Sequence, residues 1–182
     1  MAKKKKKAVK KSAKKWIDLI GIALGVLALA ALFLPFIGIT SGEEITEYSG
    51  IQALFGYTHV TETTILGSTI VNETEIFKFT IMGILPYILI AGAVAMLVLN
   101  VVGKGGKFAN LIALALFVAG AILVFNVLGF LIPGETILEV FGSTTIIKNW
   151  EVEQLTMLWG VIASGVVAIL GAGANVFKII SK

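Results

Sequence analysis

Four uncharged runs, each long enough to cross a lipid bilayer, constrain this chain more than any other feature. They cover 19–42, 79–103, 108–134 and 155–177, or 24, 25, 27 and 23 residues. A helix needs roughly 20 apolar residues to cover a ~30 Å hydrocarbon core. Lipid offers no partner for a bare backbone N–H or C=O, so only helices and closed barrels span it. A barrel strand takes about 10 residues of alternating character. These runs do not alternate and are far longer, which predicts helices.

Composition points the same way. The 182 residues are 57% hydrophobic and 14% charged, with a mean hydropathy of +0.96. A soluble domain carries about a quarter charged residues, and a small one leaves much of its area in water. Disorder, a coiled coil and almost any soluble enzyme are excluded. With no cysteine, disulfides, thiolate nucleophiles and Cys-bound zinc are excluded too.

The lysines set the expected orientation. Nine of the fifteen precede residue 16, Lys104 and Lys107 fill the link between the second and third runs, and Lys178 and Lys182 follow the fourth. These regions alternate onto one side, with thirteen lysines against Lys78 and Lys148 on the other. Positive loops face the cytoplasm, so both termini are expected to be cytoplasmic in a multi-pass plasma-membrane protein. The loops 41–78 and 134–154 then face outward with ten of the eleven acids. A basic segment before an apolar one also fits a cleaved signal peptide, but this apolar stretch exceeds the usual 7–15 residues.

The expected plan is a Lys-rich, disordered tail at 1–15 and a first span at 16–40. An outer β-forming loop at 41–78 leads to a second span at 79–102. A link at 103–107 precedes a third span at 108–133. A second outer loop at 134–154, a fourth span at 155–177 and a C-terminus at 178–182 complete it. Trp16 and Trp150 are expected at opposite interfaces, where indole rings are favoured.

Within the spans, Gly160, Ser164, Ala168 and Ala172 put a small residue at every fourth position, and Gly21 and Gly25 do so in the first span. Small residues let membrane helices approach closely. Asn126 is expected inside the third span, hydrogen-bonded to a neighbouring helix for ~1 kcal/mol. Pro86 is expected to bend the second span, and Pro35 and Pro133 to help end the first and third.

The outer loops read as strands. Thr, Val, Ile, Tyr and Phe are abundant in 41–78, and polar/apolar alternation marks 58–61 and 68–76. The second loop has strand-like pieces at 136–141 and 143–148 around Gly142. A lone two-stranded ribbon is marginal in water, so both loops are expected to merge into one antiparallel β ectodomain. A weak repeat aligns Gly42–Gly50 with Gly134–Gly142, matching at five of nine positions.

Catalytic chemistry is missing. His59 is the one histidine, which rules out a His-pair metal site and leaves no convincing triad. No phosphate-binding glycine motif is present. No ionisable residue lies in a central span, where transporters keep their coupling carboxylates. The acids of the outer loops read as solvated surface, with a weak divalent-cation or basic-partner surface built from Glu43, Glu44 and Glu47 with Glu135 and Glu139 as the other reading, although no spacing there resembles a calcium loop. No catalytic residue, metal ligand or cofactor is expected. Lys3, Lys4, Lys5, Lys6, Lys7, Lys10, Lys11, Lys14 and Lys15 stand directly before a span. There they read as contacts to anionic lipid, roughly 1 kcal/mol each, and not to nucleic acid.

Four helices, both ends inside, a long β-forming first outer loop, a shorter second one and a very short inner link resemble the claudin-type tetraspan plan. The resemblance covers the whole chain in topology. The claudin first-loop signature of Trp, Gly-Leu-Trp and two Cys is absent, with 50–56 a distant analogue. The segment 49–56 is also similar to part of uncharacterised four-span proteins of wall-less and Gram-positive bacteria. The resemblance implies a four-helix transmembrane bundle with a small extracellular antiparallel sheet. The expected function is non-enzymatic: self-assembly, adhesion, or service as an accessory subunit of a membrane complex. Ile51, Leu54, Phe55 and Tyr57 are the candidate partner contacts. The alternative is an oligomeric channel.

Overall fold

In the computed structural model the described residues are 2–65, 68–140 and 143–181, and the side chains of 2–13, 63–65, 68–72, 137–140, 143 and 144 are not described. The chain starts with helix α1 (Ala2–Ala30), followed by a 3₁₀ turn (Ala31–Phe33). Strands β1 (Pro35–Ser41) and β2 (Glu44–Ser49), helix α2 (Gly50–Phe55), and strands β3 (Tyr57–Ile65) and β4 (Ser68–Lys78) come next. Helices α3 (Ile81–Val102) and α4 (Gly106–Phe125) follow, then a 3₁₀ turn (Val127–Phe130). Strands β5 (Ile132–Pro133), β6 (Glu135–Val140) and β7 (Ser143–Lys148) precede a 3₁₀ turn (Val152–Gln154), β8 (Leu155–Met157) and helix α5 (Trp159–Ile180).

The chain divides into two compact units. One holds α1, α4 and most of α3 and α5; the other holds the strands, α2 and the short flanking turns. Lys14–Phe33, Ile81–Val102, Gly106–Phe125 and Trp159–Ile180 are long and apolar enough to cross a membrane.

The helix unit is apolar on both its inner and outer faces. Phe117, Ile90, Leu97 and Val124 are fully enclosed, while Leu27, Ile88, Ile122, Ile169 and Leu170 are more than half exposed. A helix apolar all round suits a lipid surrounding rather than water. Phe117 packs where two helices lack side chains: its ring lies 3.1 Å from the position a Cβ would take at Gly25 and also at Gly171. At Gly120 a Cβ would come 2.8 Å from Ile90 and 3.1 Å from the Pro86 carbonyl.

Three expectations are corrected here. Residues 35–40, expected in the first span, form β1, and 126–133, expected in the third, leave α4 through a 3₁₀ turn. The cause is the same in both places. A residue before proline is disfavoured in the α region, so the chain unwinds ahead of Pro35 and of Pro133 and continues as strand. Asn126 therefore lies past the end of α4, where its carbonyl accepts from the Gly129 N–H at 3.1 Å. The basic tail, expected to be disordered, is part of α1. Ala and Lys are good helix formers, and extending an existing helix avoids the cost of nucleation.

In the β unit the two loops are interleaved. The strand orders are β2-β1-β8, β3-β4-β5 and β6-β7, all antiparallel. The first strand of each loop pairs with the last strand next to the other: β1 with β8, and β5 with β4. Among the described residues the expected single sheet is replaced by three small ones, two of which join strands from both loops. The core holds Phe36, Ile37, Leu54, Phe77 and Trp150. Trp150, expected at a membrane interface, is 2% exposed. Its indole N–H donates to the Ile76 carbonyl at 2.7 Å, and its ring lies 5.5 Å from that of Phe77. A buried indole needs such an acceptor, and β4 supplies it.

Candidate functional site

The candidate contact segment 51–57 is mostly α2. Ser49 and Gln52 form a reciprocal cap: the Ser49 N–H donates to Gln52 Oε1 at 2.9 Å, and the Gln52 N–H to Ser49 Oγ at 3.4 Å. Gly56 closes the helix at φ +91°, which a side chain rarely adopts. One turn of helix must bury one face, and it buries Ala53 and Leu54 completely. Leu54 is therefore a core residue and is withdrawn as a contact. Ile51 and Phe55 are exposed, and Tyr57 is half-buried. Tyr57 sits 5.8 Å from Tyr48, whose phenol is pushed above its ordinary range by burial and then by that neighbour.

The strands offer more exposed surface than α2. Five consecutive residues of β3, Thr58 to Glu62, are exposed, as are the four from Thr145 to Lys148 in β7. Side chains alternate between sheet faces, so these stretches of β3 and β7 are open on both faces. Val60, Ile146 and Ile147 are among these residues. The second ribbon is anchored at its base. The Asn149 N–H donates to the Gly134 carbonyl at 2.9 Å, Thr136 Oγ1 donates to Asn149 Oδ1 at 2.7 Å, and Asn149 Nδ2 donates to the Glu75 carbonyl. Phe141 and Gly142, part of the expected second hairpin, lie outside the described residues.

On α5, Gly160, Ser164, Ala168 and Ala172 are buried. Ser164 Oγ donates to the Ala28 carbonyl of α1 at 2.9 Å. That bond satisfies a hydroxyl that is fully buried.

The sequence reading missed a polar cluster in the helix unit. Asp18 of α1 and Lys178 of α5 form a buried ion pair, 4% and 9% exposed at their side chains. Lys178 Nζ also donates to Asn110 Oδ1 at 2.9 Å, and the same oxygen accepts from Asn100 Nδ2 at 2.6 Å. Four helices are thereby joined at one end. Beside them lies a cavity of about 590 Å³, lined among others by Lys14, Lys15, Lys107, Asp18, Asn110 and Lys178. The available signal was the chain's one Asp, near the start of the first apolar run, with a lysine just past the end of the fourth. Of the nine tail lysines, Lys14 is half-buried and Lys15 exposed. Lys3, Lys4, Lys5, Lys6, Lys7, Lys10 and Lys11 have side chains outside the described ones.

No protein-family model, curated protein or solved structure matches this chain. The site is therefore read from its own residues. His59 is exposed on β3. Among the described residues no three His, Cys, Asp or Glu side chains gather as a metal site.

Proposed function

We propose that the chain is a non-enzymatic, claudin-like four-span membrane protein, with both termini cytoplasmic and the β unit on the outer face of the plasma membrane. It acts through contacts of that β unit, with a second copy or with another membrane protein. The observation that carries this is the exposure of β3 and β7 on both faces at 58–62 and 145–148. A two-stranded ribbon is marginal in water by itself, and an unpaired strand edge is a template for another chain. Exposed Val60, Ile146 and Ile147 add apolar surface that a partner would cover.

Cross-linking the full chain in its membrane tests the reading. The V60T/I146T/I147T triple variant is expected to lower the yield of cross-linked product, with itself or a co-purified protein, several-fold at unchanged insertion. An unchanged yield overturns the contact role of the ribbons. Reproducible unitary currents in planar bilayers would favour the oligomeric channel instead.

A further inference from the structure

We propose that the cavity beside the Asp18–Lys178 pair binds a phosphate-bearing anion, with an anionic phospholipid headgroup as its source in a membrane. Among the described residues, five ionisable side chains line it: Lys14, Lys15, Lys107 and Lys178, with Asp18 as the sole acid. Asp18 is taken by Lys178. Lys14, Lys15 and Lys107 have no ion-pair partner among the described residues.

The floor of the cavity also presents donors. The Asp18 carboxylate and the Asn110 amide oxygen already accept from protein groups. Lys178 has three N–H donors and spends two on Asp18 and Asn110. Gly106, at the first turn of α4, lines the same space, and that turn carries N–H groups without intrahelical acceptors. A helix start of this kind favours negative charge. Gly103 and Gly106, at φ +86° and +79°, leave the backbone bare, with nothing within 4 Å of where a side chain would begin.

A surplus of ammonium groups around a donor-rich floor suits an anion with several acceptor oxygens, and lysine serves phosphate as a point charge. The volume falls in the range of small-ligand pockets. The half-exposed Leu111 on the lining offers an acyl chain an apolar path. The lipid source rests on the reading that the helices cross a bilayer; anion binding as such does not.

Native mass spectrometry of the full chain in mild detergent tests this, with phosphatidylglycerol, phosphatidylcholine and glycerol 3-phosphate as separate probes. K107Q and K14Q/K15Q are each expected to weaken phosphatidylglycerol binding about tenfold, the size of one charge-assisted contact. K104Q, which removes the same charge from the same link but outside the lining, should change it less than twofold. Lys15 and Lys107 are exposed, so circular dichroism should report unchanged helix content. Retention of glycerol 3-phosphate with the same lysine dependence assigns the site to a soluble phosphate; retention of the lipid alone assigns it to the headgroup. Equal binding of both lipids, equal loss in K104Q and K107Q, or no binding of any probe overturns the proposal.

Discussion

Asp18 and Lys178 stand 160 positions apart in the chain and share one buried bond. A buried ion pair is weak evidence of net stability, but removing one partner leaves the other charge stranded, at about 3–5 kcal/mol. Asp18→Ala is therefore expected to lower unfolding stability by about 3 kcal/mol, with D18L/K178M recovering much of the loss. Thermal unfolding in detergent, followed by circular dichroism, checks this; additive single losses in the double variant would contradict it. At this scale the sequence is only partly legible. Asp18 is conspicuous as the one Asp. Its partner depends on how α1 and α5 are rotated about their axes, which neither lysine counts nor hydropathy report. Asn100 and Asn110 flank the 103–107 link and meet through their side chains at 2.6 Å, yet in the sequence they read as ordinary polar residues at helix ends.

The elements divide into those that composition dictates and those that local rules decide. The four apolar helices and the hairpins β3–β4 and β6–β7 follow from period and composition. Helix ends follow from proline, and α1 and α4 stop several residues before the apolar runs do because hydropathy is blind to backbone conformation. Helix α2 was legible in Ser49-Gly50-Ile51-Gln52, a capping-box spacing, but its apolar residues read equally well as an exposed patch. Ser49→Ala is expected to cost about 1 kcal/mol. Gly134 is more demanding, since a Cβ there would meet the Glu75 backbone carbonyl and lie 3.0 Å from the Ile76 nitrogen. Backbone in a paired strand yields little, so Gly134→Ala should destabilise the β unit by about 2–3 kcal/mol. Tryptophan emission would report this, because Trp150 is buried while Trp16 and Trp159 are exposed. An unchanged melting profile would mean that the 134–136 crossover adapts freely.

At the scale of the whole molecule, lysines gather in segments that alternation assigns to one side and acids in the loops assigned to the other. The loops are interleaved, because β1 pairs with β8 and β5 with β4, so both belong to one β unit. The chain has no cysteine, so single cysteines report topology without background. T61C and K104C, labelled one at a time on intact cells with a membrane-impermeant maleimide, test the account most directly. T61C should react at once, and K104C only after the membrane is opened. Labelling of both from the same side would contradict the four crossings on which the account depends.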